Sequence, residues 1–275
     1  MTKNQKLISL GKSISFIALY IIFGAVLSQI KYFFPPQFER YAQGILGTIG
    51  AIITVIIFLR VEKKTFRDYG LNWEKTSFKK FILGLSLGIV LAAVMMLSQV
   101  LYSGLVLSFN NDVNLVTFLP WSLAFIPLAF MEEIAFRSYP LIRLNKSFGL
   151  RTTQFILAIL FAVYHMLMMW SPKASILGPG IWALAYTLTA VAPNGIAVPT
   201  GLHFGLNFVQ SVIGGQKGIE PIWNLDYPQG ISESSISANE NFGLGLHISL
   251  LILSVIATEI YIRKKKTTAN NVYSA

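Results

Sequence analysis

Apolar residues in this chain gather into long blocks separated by short polar connections. They do not form the narrow stripes that a soluble helix turns toward a core. The blocks cover 14–30, 41–59, 81–105, 119–141, 152–170, 175–191, 196–213 and 244–262. Each approaches the roughly 20 residues needed to cross the hydrocarbon layer of a bilayer as a helix. A backbone in lipid must satisfy its own hydrogen bonds, so the pattern predicts an all-α polytopic transmembrane helix bundle of about eight spans. The whole of 1–275 reads as a single integral-membrane domain. The first block follows a charged start, MTKNQK, as in a signal peptide, but KYFFPPQFER and no small-residue cleavage site comes next. It reads as a retained span. Gly178, Pro179 and Gly180 interrupt the sixth block near its start. Pro199 stands in the first turn of the seventh, where a missing N–H is tolerated. Seven spans is the fallback count.

Composition sharpens this picture. Hydrophobic types make up 54 % of the 275 residues and charged types only 12 %, against about 25 % charged in soluble domains. A disordered chain is excluded, and a soluble globular enzyme is disfavoured. The net charge of +10 would point to nucleic acid in a soluble protein. Here the basic residues fall in alternate connections. Lys3, Lys6, Lys12, Arg60, Lys63, Lys64, Arg67, Lys75, Lys79, Lys80, Arg137, Arg143, Lys146, Arg151, Arg263, Lys264, Lys265 and Lys266 lie on one side of an eight-span arrangement. Only Lys31, Arg40, Lys173 and Lys217 lie on the other. The split of 18 to 4 obeys the positive-inside rule with both termini cytoplasmic. The expected location is a cell membrane, multi-pass, and a short chain without accessory domains reads as bacterial. No nucleic-acid partner is expected, because no basic stretch interleaves aromatics in a polar setting. The connection 60–80 reads as an orientation signal, and 214–242 as a long, polar, extracytoplasmic loop. The absence of cysteine excludes disulfides, thiolate metal sites and a cysteine nucleophile. Gly84 and Gly88 form a small-xxx-small pattern suited to close helix packing.

Because charge is scarce, ionisable residues inside spans carry the most information; each costs about 2.5–3.5 kcal/mol at a helix centre on insertion scales. Glu132, Glu133 and Arg137 lie in the fourth block. Glu133 and Arg137 are at i and i+4, the spacing of a helical ion pair. Adjacent positions diverge by about 100° around a helix, which leaves Glu132 free for other work. His165 lies in the fifth block with Phe161 one turn away, and His203 and Asn207 share a face of the seventh. Gly201 and Gly205 flank His203 and would admit a close neighbour. His247 has no polar side chain one turn away and reads as structural, and Glu259 is expected to pair with Arg263. One carboxylate, two histidines and a carboxamide from three spans converge on water activation.

These residues resemble the three-part signature of the CAAX-protease and bacteriocin-processing (Abi) family, which includes the type II CAAX prenyl endopeptidases. The resemblance covers about 60–213, with the double glutamate and Arg137, then Phe161 and His165, then His203 and Asn207. Ser138 departs from it, since members commonly carry glycine after the arginine. The resemblance implies an intramembrane endopeptidase acting on a membrane-associated protein or peptide. Glu132 and His165 would activate water, and His203 and Asn207 would stabilise the oxyanion. Glu133, Arg137 and Phe161 would support them. It leaves open whether Glu132, His165 and His203 bind Zn2+ or whether a glutamate acts with no metal. No HExxH pair is present. A non-catalytic immunity or scaffold protein and a proton-coupled transporter are the alternatives. The expected site is a water-filled cavity in the cytoplasmic half of the membrane.

Overall fold

The computed structural model describes residues 2–216 and 218–273; Lys217, counted above in an outside connection, lies outside the described residues. The chain forms helices α1 (Lys3–Ser28), α2 (Glu39–Glu62), α3 (Ser77–Ser103), α4 (Leu115–Leu123), α5 (Phe125–Arg137), α6 (Tyr139–Phe148), α7 (Leu150–Leu167), α8 (Pro172–Ser175), α9 (Ile181–Val191), α10 (Ala197–Val212) and α11 (Glu233–Tyr273). Among the described residues, seven helical stretches are long and apolar enough to cross a membrane. The chain is a multi-pass membrane protein with an all-α bundle. The block outside that count is the seventh, which is helical too, but α10 has only 16 residues, about 24 Å at the helical rise. It lies inside the bundle, so the lipid thickness does not dictate its length. Lys6 sits over the Phe148 ring, and Arg151 pairs with Glu259. The start of α1 and the later part of α11 therefore lie at the same end of the bundle. Only an even number of passes allows this, and α10 makes the eighth.

The fourth block is one run in the sequence and three helices in the structure. Pro127 and Pro140 have no N–H to offer the carbonyls of Leu123 and Phe136, and the helix breaks at Ala124 and Ser138. Ser138 is fully buried, and its hydroxyl donates to the carbonyl of Ile134. The sixth block is likewise split, with a π-helical turn at Ile176–Gly180 between α8 and α9.

Two glycine pairs position α10. A Cβ on Gly84 would lie 2.0 Å from the Val198 carbonyl oxygen, and one on Gly88 2.2 Å from that of Leu202. In return, a Cβ on Gly201 would meet the Phe81 oxygen at 2.0 Å, and one on Gly205 the Leu85 oxygen at 2.6 Å. Only hydrogen in place of a side chain lets α3 and α10 approach backbone to backbone. The face of α10 carrying these glycines is thereby fixed against α3, and His203 is left to project elsewhere.

The connections collect at two ends. Glu62, where α2 finishes, accepts from Lys12 Nζ (2.9 Å), Tyr139 OH (2.8 Å) and Tyr69 OH (2.6 Å) and also pairs with Arg143. Lys80 donates to the carbonyl of Pro193. This is the basic end, and it ties α1, α2, α3, α6 and the α9–α10 turn together. At the far end, Val106–Phe109 (β1) pairs antiparallel with Trp223–Asp226 (β2), Val106 opposite Asp226 and Phe109 opposite Trp223. The segment 214–242 is thus not a plain loop: it holds β2 and the first turns of α11. One assignment in the basic count and one ion-pair expectation also change. Arg137 is a core residue, 1 % exposed, and belongs to neither end. Glu259 pairs with Arg151 of α7 across the bundle, because the tertiary neighbour supplies a bidentate guanidinium.

Candidate active site

The fifth helix carries Glu132 and Glu133 into the middle of the bundle. Glu133 is fully buried, and Arg137 one turn on lies 3.3 Å from its Oε2 through Nε. Arg137 also rests on aromatic faces, its guanidinium 4.5 Å from the Phe161 centroid and 5.1 Å from that of Tyr186. Charge opposite charge and cation over ring together offset the cost of removing both ions from water.

His203 completes this group from α10. Its Nδ1 lies 3.0 Å from Glu133 Oε1, and an ionised carboxylate can only accept, so Nδ1 donates. Its Nε2 lies 3.8 Å from Glu132 Oε2. The two glutamates diverge around α5, but one imidazole reaches both because its nitrogens lie on different edges of the ring. Tyr186 stacks on that ring at 4.6 Å and 18°, which fixes its plane.

Oε2 of each glutamate is buried without a hydrogen bond among the described residues, but that of Glu133 faces Arg137 whereas Glu132 faces open space. Glu132 lines a cavity of about 550 Å³ together with Phe161, His165, His203 and Asn207. That volume is in the range of small-molecule and peptide pockets. His165 stands in the last turn of α7. Its Nδ1 is bonded to the Phe161 carbonyl at 2.9 Å, which commits one nitrogen and leaves Nε2 for the cavity. Asn207 lines the same wall one turn beyond His203. Of the residues named from the sequence, Glu132, Phe161, His165, His203 and Asn207 meet around one cavity, and Glu133 and Arg137 lie behind it.

Several residues of the site escaped the sequence reading. Tyr20 and Tyr164 close the inner wall with hydroxyls 3.4 Å apart, and Tyr186 holds His203. A tyrosine inside an apolar span needs a partner for its hydroxyl, and that requirement was the available signal. His247, read as structural, bonds the Gly243 carbonyl at 2.9 Å and lines the cavity.

Among the described residues no three His, Cys, Asp or Glu side chains are grouped closely enough to hold one ion. His203 Nδ1 and His165 Nδ1 are already committed, and a zinc ligand must lie about 2.0–2.2 Å from the ion. The arrangement among the described residues does not fit a three-ligand zinc centre.

Residues 114–209 match the family model described as type II CAAX prenyl endopeptidase Rce1-like. The matched segment runs from the cap of α4 into α10 and contains Glu132, Glu133, Arg137, Phe161, His165, His203 and Asn207. No curated protein matches the chain.

Proposed function

We propose that this chain, which belongs to the Rce1-like family of type II CAAX prenyl endopeptidases through residues 114–209, hydrolyses a peptide bond in a membrane-associated protein or peptide. Glu132 is the general base. A water held between Glu132 and His165 gives a proton to Glu132 as its oxygen attacks the scissile carbonyl. The carbonyl oxygen takes up the negative charge and is met by the Asn207 amide and by His203. Because Nδ1 of His203 is committed to Glu133, that histidine donates from Nε2 only in its cationic form. The tetrahedral intermediate then collapses, the C–N bond breaks, and the proton on Glu132 passes to the leaving amine. The products are a carboxylate and an amine, with one water consumed. Glu133 and Arg137 act by positioning His203 and α5.

The observation that carries this reading is the buried Oε2 of Glu132 on the cavity wall, which has no hydrogen bond among the described residues and lies 3.8 Å from His203 Nε2. A buried carboxylate oxygen without a partner is costly unless a polar species occupies the space beside it. Cleavage products from membranes carrying the wild type, Glu132→Ala or His165→Ala test it. The proposal requires product loss in both variants at equal protein level, and identical product patterns would refute it.

A further inference from the structure

The cavity has one direction, and the residues that line it state which. On α1 the lining residues include Tyr20, Gly24 and Ser28, climbing about 12 Å toward the far end. On α7 they include His165, Met168 and Trp170, past the end of the helix. His165 itself is about 3 Å of helical rise from Leu167 and about 22 Å from Leu150 at the basic end. Gln29 and Lys31 from the α1–α2 connection, Gln43 near the start of α2 and Gln216 beyond α10 complete the rim. No residue of the connections 63–76, 149 or 192–196 touches the cavity. Toward the basic end it is stopped by the Glu133–Arg137 pair and by stacked rings, Phe16 on Tyr139 at 5.1 Å. The Glu62 cluster lies beyond them.

The ends differ in charge. Of the 22 lysines and arginines, 17 lie at the basic end, accompanied by four acids, Glu62, Asp68, Glu74 and Glu259. Among the described residues, the far end has Lys31, Arg40 and Lys173 against six acids, Glu39, Asp112, Glu220, Asp226, Glu233 and Glu240. Short connections rich in Lys and Arg stay in the cytoplasm. The expectation of a cytoplasmic cavity and the expectation of cytoplasmic basic connections therefore conflict, because the structure puts cavity mouth and basic connections at opposite ends.

We infer that the cavity opens on the extracytoplasmic side of the membrane, and that its substrate is a peptide segment presented there: an exported peptide or the outward-facing part of a membrane protein. This rests on the endopeptidase reading for the word substrate, but not for the orientation. A cytoplasmic chain end could reach Glu132 only by passing the Glu62 cluster and the buried aromatic layer. A segment outside the membrane meets Gln29, Gln43 and Gln216 and then descends to Asn207 and His203.

The chain has no cysteine, so a single introduced thiol reports its own exposure. Gln29→Cys at the mouth, with Ala25→Cys one turn below as a second reporter, is compared with Thr76→Cys and Thr152→Cys at the basic end. Intact cells are treated with a membrane-impermeant maleimide, and then permeabilised cells are treated likewise. The mouth thiols are expected to label at least about fivefold more than the basic-end thiols in intact cells, with the difference vanishing on permeabilisation. The reverse pattern, or equal labelling in intact cells, would overturn the orientation. Blocking Gln29→Cys from outside is further expected to reduce cleavage in intact cells, and unchanged cleavage would overturn the mouth as the route of entry. Both failures are separable from that of the catalytic reading, since Glu132→Ala would still abolish cleavage if only the side were wrong.

Discussion

Nδ1 of His203 lies 3.0 Å from Oε1 of Glu133, a contact between buried residues 70 positions apart that joins α10 to α5. Glu133 thus serves two partners, since Arg137 is held by the same carboxylate. Glu133→Ala leaves a buried guanidinium without its counter-ion and is expected to cost about 3–5 kcal/mol of stability. Thermal unfolding in detergent measures this. Glu133→Gln still accepts from His203 through its amide oxygen, so it should retain more of the fold while losing cleavage activity.

Glu132 should behave in the opposite way. Its Oε2 has no hydrogen-bond partner among the described residues and only a 3.8 Å approach to His203, so Glu132→Gln removes a base without breaking a hydrogen bond. Cleavage is expected to fall about 10²–10⁴-fold, with the unfolding temperature unchanged or raised. A matched loss of stability would mean that Glu132 holds the bundle together and is not a base.

Asn207→Ala removes an amide that lines the cavity, and the cost expected for an oxyanion donor is about 10²–10³-fold in kcat. KM should change little, because the donor acts on charge that develops during the reaction. A change confined to KM would assign Asn207 to substrate binding.

The approach of α3 to α10 gives a prediction about folding. Gly88→Ala puts a Cβ 2.2 Å from the Leu202 oxygen, and the neighbour is backbone, which cannot rotate aside. Forced overpacking of this kind costs about 1–3 kcal/mol. Gly11→Ala is the control, because nothing lies within 4 Å of its Cβ. Unfolding midpoints of the two variants should move apart, with Gly11→Ala equal to the wild type or above it. Gly88→Ala should also lower cleavage, since the displaced α10 carries His203 and Asn207.

Metal removal separates two mechanisms. With Glu132 as the base, treatment with a chelator and dialysis should leave the cleavage rate within about twofold of the untreated protein, a difference of about 0.4 kcal/mol in barrier. Loss of activity that zinc restores would replace the proposed mechanism with a metal-bound water.

Much of this protein was legible in the order of its residues. Eight apolar blocks gave eight helical passes, because a chain in lipid must bond its own backbone within each crossing. The Glu133–Arg137 pair was legible from i,i+4 spacing alone, as local geometry fixes it. Breaks in the fourth block could be read from Pro127 and Pro140, which lack N–H groups, but apolar content alone hid them. The partner of Glu259 was misjudged, because Arg263 is near in sequence whereas Arg151 arrives from another helix.

The sequence by itself determined which residues carry charge into an apolar interior, since each such residue is costly enough to require a reason. It also divided the basic connections from the acidic ones. It did not determine that His203 would sit between two adjacent glutamates, or that Tyr20, Tyr164 and Tyr186 would wall the site. Those contacts depend on how helices distant in the chain rotate and cross, and here Gly84, Gly88, Gly201 and Gly205 settle the crossing through backbone contact. The direction of the cavity was likewise decided only in three dimensions. Depth along one helix can be counted from sequence, but a mouth exists only where several helix ends leave space between them.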